Sequence, residues 1–292
     1  MLAKANIMNI VEKIISYLKM IKFSHSIFAL PFAFTSAFIA ASGLPSLQQI
    51  LLITIAMVSA RSAAMGMNRI IDRDIDGQNP RTKNREIPAG VIKVKDAVIF
   101  TIISVIGLLV SSYFLNPLCF KLSPVAIIIL FSYSYAKRFT WLSHVILGIA
   151  ISLAPLGSWI AITGSIDPKI LLLIVGIIFW LSGFDILYAL QDMEFDRTFG
   201  LYSIPQRFGI VKSLIIARAC HFMTWGLLIG TGVIFNLGTY YFIGMMVVTG
   251  LLIYEHRLIK SDDISKLDMA FFNMNGYISV VVFLFTVLDI FI

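Results

Sequence analysis

The chain has 292 residues, of which 59% are hydrophobic and only 13% are charged, with a formal net charge of +7. A mean hydropathy of +0.90 and repeated apolar runs exclude a soluble globular domain and indicate a polytopic α-helical membrane protein. Helices are favoured over a barrel because the apolar runs are far longer than membrane-spanning strands. The positive charge belongs to no basic, aromatic-rich soluble segment, so we expect acidic lipid headgroups rather than nucleic acid as partners.

The first 22 residues are predicted to form an amphipathic helix on the cytoplasmic leaflet of the bilayer. Apolar residues recur at helical spacing among lysines, which favours burial of one helix face between the headgroups. A cleaved signal peptide is not expected, because the first apolar span begins only after this segment. The apolar positions are Ile7, Ile10, Val11, Ile14, Ile15, Leu18 and Ile21.

We predict one membrane domain over residues 1–292, with about nine transmembrane helices bundled around a central cavity open to the cytoplasmic side. The span at 122–136 is the shortest, and its loss would invert the topology that follows it. The predicted spans are 24–42, 47–70, 96–115, 122–136, 142–164, 169–191, 211–234, 237–254 and 270–291.

The distribution of basic residues supports this number of spans. If the N-terminus and the even-numbered connections share one side, that side carries all of the 23 Lys and Arg residues except Lys121, Lys169 and Arg61. The positive-inside rule makes this side cytoplasmic. We therefore predict a bacterial-type inner-membrane protein with its N-terminus in the cytoplasm and its C-terminus outside.

Charged residues of both signs are concentrated after the second span, in the stretch MNRIIDRDIDGQNPRTKNREIPAG at 67–90. Asn68, Asp72 and Asp76 lie four residues apart, and Arg61 lies seven before Asn68. A continuous helix would project all four from one face. Asp74 would point elsewhere, and we expect it to be a solvated charge.

A second acidic stretch, DILYALQDMEFD, ends the sixth predicted span. Asp185, Tyr188, Asp192 and Asp196 are spaced three, four and four residues apart, so they also share a helix face. Both clusters lie at cytoplasmic helix ends, from which they could converge on one cavity.

Clusters of oxygen ligands favour a hard cation, above all Mg²⁺, with a diphosphate completing its coordination. The four histidines are scattered and are expected to be interfacial or packed.

Basic residues near the clusters can neutralise phosphate oxygens, although positive-inside anchoring alone accounts for several of them. They are Arg61, Arg81, Lys83, Arg85, Lys137, Arg138 and Arg197.

These residues match the motifs of a known family. NRIIDRDID resembles the NxxxDxxxD motif, and DILYALQDMEFD the YxxxDxxxD motif, of the UbiA superfamily of intramembrane aromatic prenyltransferases. YSYAKRFT is similar to the YxxxKR segment of that family, here Tyr133, Lys137 and Arg138, and NPRTKNREIPAG resembles the loop after its first motif. The resemblance covers nearly the whole chain. It is greatest to the 4-hydroxybenzoate polyprenyltransferase-like branch, which includes enzymes thought to prenylate a naphthoate precursor of menaquinone.

The resemblance implies Mg²⁺-dependent transfer of a polyprenyl group from polyprenyl diphosphate to a small aromatic acceptor in ubiquinone or menaquinone biosynthesis. The metal ligands would be Asn68, Asp72, Asp76, Asp192 and Asp196. Asp72, Asp185 and Asp192 would be catalytic, with Asp185 or Asp192 activating the acceptor hydroxyl. The implied diphosphate-binding residues are Arg61, Lys83, Arg85, Tyr133, Lys137, Arg138 and Tyr188.

Two departures from the family pattern leave the acceptor open. Many members have Asp directly after the motif Asn, where this chain has Arg69, and many follow the loop Arg with Pro, where this chain has Glu86 after Arg85. The metal-binding residues are unaffected by either change. Prenyl chain length and oligomeric state are also left open.

Two other functions have to be weighed. A membrane CDP-alcohol phosphotransferase would need DGQNPR to be followed by two further aspartates at fixed spacing, and the stretch VKDAV follows instead. A transporter would suit charges within the membrane. However, the acidic clusters lie on one side only, with no matching polar path to the exterior.

Overall fold

The computed structural model describes residues 10–23, 26–267 and 269–292, and every regular element within these ranges is a helix. This confirms the all-α prediction for the described part of the chain. The α-helices are α1 (Ile10–Met20), α2 (Ser26–Ala41), α3 (Leu47–Ile71), α4 (Arg73–Gln78), α5 (Val94–Leu115), α6 (Pro117–Ala136), α7 (Ser143–Thr163), α8 (Leu171–Ala189), α9 (Met193–Thr198), α10 (Ile204–Ile234), α11 (Thr239–Leu258) and α12 (Asn275–Phe291).

Six helical segments among the described residues are long and apolar enough to cross a membrane. Two shorter apolar stretches, Ala29–Ala41 and Asn275–Phe291, lie in α2 and α12. The predicted total of about nine spans stays a prediction, as does the cytoplasmic opening. The six segments are Leu47–Ile71, Val94–Leu115, Pro117–Ala136, Ser143–Thr163, Pro168–Thr198 and Ile204–Ile234.

Local sequence signals set several helix ends. Ser46 and Gln49 form a reciprocal capping box at the start of α3. The Asn116 side chain accepts from the backbone N–H of Cys119 and starts α6 at Pro117, five residues before the predicted start at 122. Gly164, at φ 67°, ends α7 in the left-handed conformation that glycine adopts without steric cost.

Both acidic clusters depart from the continuous helix that the spacing predicts. α3 ends at Ile71, and Asp72 lies between α3 and α4 with φ −89° and ψ 3°. Asp192 lies between the 3₁₀ turn Leu190–Asp192 and α9 with φ −101° and ψ 0°. The two aspartates occupy the same sparsely populated backbone region, so each cluster turns at its central aspartate.

The amphipathic N-terminal helix is described only in part, because residues 1–9 lie outside the described ranges. In α1, Ile10, Val11, Ile14, Ile15 and Leu18 are exposed along one face, whereas Met20 is buried. Such an exposed apolar stripe on a short helix suits the headgroup region of a bilayer. Its location on the cytoplasmic leaflet stays a prediction.

The helices pack in two connected groups. α2, α7, α8, α10, α11 and α12 enclose a core in which Trp180 contacts Phe32 and Phe184 edge to face, with ring centroids 4.9 Å apart in each pair. α3, α5 and α6 pack against one another, and α3 and α6 also pack against α7. Small residues allow the close crossings, as expected where lipid supplies no hydrophobic drive for helix association.

One crossing, in which a glycine of α7 faces the backbone of α8, predicts a measurable loss of stability. A methyl group on Gly148 of α7 would lie 2.7 Å from the backbone oxygen of Ile178 in α8. Gly148→Ala therefore has to push two helix backbones apart, and we expect a loss of about 1–3 kcal/mol. Thermal unfolding of detergent-purified protein measures it. Gly157→Ala in the same helix has open space around the new methyl group and is the matched control. Equal stability of the two variants would contradict the crossing.

Candidate active site

Asp72 is the most enclosed residue of the first motif, with 1% of its surface exposed. Its carboxylate accepts from the Asn68 side-chain amide at 3.0 Å. It also pairs with Lys137 at 2.8 Å and with Arg138 at 3.0 Å, both from the end of α6. The predicted YxxxKR segment and the first motif therefore meet, and two cations compensate a carboxylate that would be costly to bury alone.

Asp76 lies one helical turn further on, in α4, and is also buried. Arg85, from the loop that follows, donates to both of its carboxylate oxygens at 2.7 Å. The hydroxyl of Thr82 donates to the Asp76 backbone oxygen at 3.0 Å. The loop is thus folded back over the motif that precedes it. Arg73 and Asp74 are exposed and pair only with each other among the salt bridges of the described residues, as the spacing predicts for Asp74.

The two acidic motifs converge through Arg81. Its guanidinium forms a two-point contact with Asp192, with the Nε–Oδ1 bond at 2.8 Å, and a further bond of 3.2 Å reaches the Tyr188 hydroxyl. The Asn79 side chain donates to the same aspartate at 3.2 Å. Arg81 and Asp192 are 111 positions apart in the chain. The loop of the first motif therefore lies directly against the second.

Asp196 and Asp185 each have a partner that the sequence interpretation left out. The Ser203 hydroxyl donates to Asp196 at 2.9 Å. The imidazole of His144, at the start of α7, lies 2.6 Å from Asp185. The sequence analysis expects His144 to be interfacial or packed, and the residue is buried. A lone histidine in an apolar helix gives no spacing signal, which is why its partner could not be predicted.

The N-terminal segment adds one cation to the site, Lys22, which the sequence interpretation missed. Arg61 and Arg69 of α3 donate to the backbone oxygens of Lys22 and Met20, at 3.3 and 3.1 Å. These bonds hold the turn after α1 so that the Lys22 ammonium lies 5.6 Å from the centre of the Tyr188 ring. Burial, followed by the charges of Arg69, Arg85, Arg81 and Arg61, lowers the pKa of Lys22 to about 7. Lys22 is thus poised to gain a proton when an anion binds.

An apolar cavity of about 410 Å³ adjoins this charged region. Its walls come mainly from α3, α5, α6 and α7, and it continues to Leu115 and Ile166 at the opposite helix ends. Near the charged region it is bordered by Arg61, Met65 and Tyr133. A long apolar chain with an anionic head would therefore find both environments in one continuous site.

Most of the predicted residues are brought together, although not all of them. Asn68, Asp72, Asp76, Arg85, Lys137 and Arg138 form one cluster of contacts, and Arg81, Tyr188 and Asp192 form a second that shares the same loop. Lys83 is exposed. Arg197 pairs with Glu194 on the exposed face of α9. Lys83 and Arg197 therefore lie near the site, but no contact described above joins either of them to it.

The donor set suits a hard cation. Aspartate and asparagine oxygens are the ligands that Mg²⁺ prefers, and it commonly uses one or two carboxylates together with phosphate and water. Among the described residues, no three His, Cys, Asp or Glu side chains form a ready metal site. Asp72, Asp76 and Asp192 each contact an arginine or lysine instead. A metal bound together with an anionic ligand would replace these pairs, because the ligand takes over the cations.

Comparisons with protein families and with curated proteins give matches over most of the chain. Residues 29–277 match the model of the UbiA prenyltransferase family. A 4-hydroxybenzoate octaprenyltransferase of Vibrio atlanticus is 31% identical over 248 residues, which are 85% of this chain and 86% of the relative.

Two solved structures show where the fold has been seen before. The apo structure of a UbiA homologue from Aeropyrum pernix K1 superposes with a TM-score of 0.83 and 28% identity, covering 91% of this chain and 98% of that one. A UbiA homologue from Archaeoglobus fulgidus bound to GPP and Mg²⁺ superposes with a TM-score of 0.66 and 20% identity, covering 91% and 99%.

The ion pairs of Asp72 predict a stability difference within one motif. Asp72→Asn removes the charge that Lys137 and Arg138 share and leaves two cations uncompensated. Because these cations are about one-third exposed, we expect a loss of about 1–3 kcal/mol, below the figure for a fully buried pair. Thermal unfolding in detergent measures it. Asp74→Asn, two residues away and exposed, is the control and should remain within about 0.5 kcal/mol of wild type. Similar losses in both variants would argue against the pairing.

Proposed function

Because the chain belongs to the UbiA prenyltransferase family and is a membrane-embedded prenyltransferase, we propose that it transfers a polyprenyl group from polyprenyl diphosphate to a 4-hydroxybenzoate-type acceptor. One observation carries the proposal. Arg81 joins the two aspartate motifs, and Tyr188 and Lys22 connect it to Arg61 in the wall of the apolar cavity, so one site offers metal ligands, cations and room for an isoprenoid chain. Family membership favours this reaction over a CDP-alcohol phosphotransferase or a transporter.

The proposed Mg²⁺ ligands are Asn68, Asp72 and Asp76 from the first motif and Asp192 and Asp196 from the second. Mg²⁺ would supply positive charge for the phosphate oxygens and the departing diphosphate. The oxygen-only donor set supports this assignment, and so does the fold shared with the homologue bound to GPP and Mg²⁺. The assignment requires the lysine and arginine partners of these aspartates to turn toward the ligand.

The diphosphate would be held by the cations and hydroxyl groups that surround the motifs. Arg85 and the Lys137–Arg138 pair now neutralise Asp76 and Asp72, and their side chains can exchange a carboxylate for a phosphate oxygen. These contacts gain strength as negative charge grows on the bridging oxygen during cleavage of the allylic C–O bond. The proposed set is Arg61, Lys83, Arg85, Tyr133, Lys137, Arg138 and Tyr188. The contacts of Arg81 with Asp192 and Tyr188 favour adding this arginine, and the structure adds Lys22 as a new candidate.

The apolar cavity would hold the prenyl chain. Arg61 and Tyr133 border it on the charged side, which would place the diphosphate there and the hydrocarbon along α3, α5, α6 and α7. The low polarity of these walls keeps water from the allylic cation that forms when the C–O bond breaks. The length of the natural chain is left to experiment.

The acceptor would be activated by loss of its phenolic proton. Asp185, with Asp192 as the second candidate, would accept that proton, and the ring carbon beside the oxygen would then form a bond to the allylic carbon. The ring proton at that carbon passes to the departing diphosphate, and the aspartate returns its proton to the phenolate oxygen. Atoms and charges therefore balance over the cycle. A dihydroxynaphthoate of menaquinone synthesis presents the same hydroxyl chemistry and is the second candidate.

The proposed orientation places the site at the cytoplasmic face, with the N-terminus inside and the C-terminus outside. Two of the connections that meet at the site, 72–93 and 137–142, together hold seven of the 23 lysines and arginines. Under the positive-inside rule this side faces the cytoplasm, where anionic substrates are available. The proposed location is the cytoplasmic membrane of a bacterial-type cell.

A competition assay tests the function. Purified protein with polyprenyl diphosphate, Mg²⁺ and equimolar 4-hydroxybenzoate and 1,4-dihydroxy-6-naphthoate should yield a prenylated benzoate by mass spectrometry, and chelation of Mg²⁺ should abolish it. Asp76→Asn and Asp192→Asn should lower the transfer rate by about 100-fold or more, because they remove ligands for charge that develops at cleavage. Asp74→Asn should stay near wild type. If wild type gives no product with either acceptor, the proposed reaction is wrong; a naphthoate product would correct the acceptor alone.

The lowered pKa of Lys22 predicts pH-dependent binding of the diphosphate. Below about pH 7 the ammonium carries its charge and attracts the anion, and above it the charge is lost in the free protein. Lys22→Arg stays charged throughout, so the ratio of wild-type to Lys22→Arg affinity should fall by about 10-fold between pH 6 and pH 8.5. Isothermal titration calorimetry measures the affinity of both proteins for geranyl diphosphate. Protonation of the ligand itself changes both affinities equally, so it cancels in their ratio. A ratio that does not change with pH would show that Lys22 does not meet the anion.

A further inference from the structure

His144 makes contacts to two different parts of the site through its two ring nitrogens. Nδ1 lies 2.6 Å from Oδ2 of Asp185 in α8. Nε2 lies 3.3 Å from the backbone nitrogen of Ile204, the first residue of α10. The imidazole thus bridges α8 and the start of α10 from a buried position at the start of α7.

These two contacts fix the tautomer of the ring. The Ile204 N–H can only donate, so Nε2 must be the unprotonated nitrogen that accepts. A neutral imidazole then carries its proton on Nδ1 and donates it to Asp185. Asp185 therefore accepts a hydrogen bond from His144 at Oδ2. The Asp185 side chain is 23% exposed and is only partly enclosed, while His144 is 4% exposed.

The connection 199–203 that precedes Ile204 is tied to the site at neighbouring positions. The Tyr202 N–H donates to the Lys137 backbone oxygen at 2.7 Å, and the Ser203 hydroxyl donates to Asp196. The Ser203 hydroxyl also accepts from Gln206 and caps α10. The backbone donor that orients His144 is therefore itself held in place. Ser182, from α8, adds a bond of 3.5 Å to the His144 backbone oxygen.

We propose that His144 is a positioning residue for acceptor activation, which orients the Asp185 carboxylate toward the acceptor hydroxyl. This inference rests on the proposed prenyl transfer. The acceptor O–H bond breaks, its proton moves to the free oxygen of Asp185, and the Nδ1–H of His144 stays on the imidazole as a donor throughout. The proton later returns to the phenolate oxygen. His144 makes no contact with substrate in this scheme and acts only through Asp185.

Two variants separate this role from packing. His144→Phe keeps a ring of similar size and removes both nitrogens, and His144→Asn keeps an amide donor at the position of Nδ1. In assays with geranyl diphosphate and 4-hydroxybenzoate, His144→Phe should lower kcat by about 10- to 100-fold, while the KM for geranyl diphosphate stays within about 2-fold. His144→Asn should recover most of that loss. His221→Gln, a change at another buried histidine that contacts the Trp180 backbone, is the control and should leave kcat within about 2-fold.

The acidity of the acceptor supplies a readout that a packing defect would not change. In 3-fluoro-4-hydroxybenzoate the fluorine makes the hydroxyl more acidic, so less help is needed to remove its proton. The loss caused by His144→Phe should therefore be smaller with this acceptor than with 4-hydroxybenzoate. An equal loss with both acceptors, or an unchanged kcat in His144→Phe, overturns the inference. If His144→Phe does not fold, His144→Asn takes its place in the test. A kcat of folded His144→Asn as low as the kcat of Asp185→Asn then also overturns the inference.

The outcome for wild type keeps the two proposals apart. If wild type forms no prenylated product with either acceptor, the proposed function fails and His144 is not the cause. If wild type forms product and the variants behave as stated, both stand. If wild type forms product and His144→Phe equals it, only the role of His144 is lost.

Discussion

The pairing of buried carboxylates with cations from other segments is the constraint on which the rest of this site depends. Asp72 ends a membrane-spanning helix with almost no exposed surface, and an ionised carboxylate in that position is unstable without opposite charge. Lys137 and Arg138 supply that charge from the end of α6, and Arg81 does the same for Asp192. Each pair joins two segments that are distant in the chain. The electrostatic requirement of the aspartates thus draws the loops together over one end of the bundle.

This arrangement divides the site by polarity. Charged side chains gather where the connections meet, and the adjoining cavity is apolar along most of its length. A substrate with an anionic head and a hydrocarbon tail matches that division. The cations would bind the head, and the apolar walls would bury the tail. Arg61 and Tyr133 line the cavity, and Arg61 also donates to the Lys22 backbone oxygen on the charged side.

Much of the site could be predicted from the sequence because its residues occur in two spaced motifs on apolar helices. Asn68, Asp72 and Asp76 were identified by their intervals of four, and Tyr188 and Asp192 by theirs. The break at each central aspartate could not be predicted, since the backbone there is set by the cations that reach it from elsewhere. Lys22, Arg69 and His144 belong to no repeat, so only their tertiary partners reveal them. The helix starts at Pro117 and Ile204 depended on caps that hydropathy alone does not detect.

The contact between Arg81 and Asp192 also has a consequence for turnover. The product of a prenyl transfer no longer carries the diphosphate that competes with the carboxylates for Arg81 and Arg85. Once diphosphate leaves, the ion pairs can form again and close the charged region against the neutral tail of the product. A substrate with its anion intact would hold the site open, whereas the product would not. The resting ion pairs would in this way couple release of the product to recovery of the starting state.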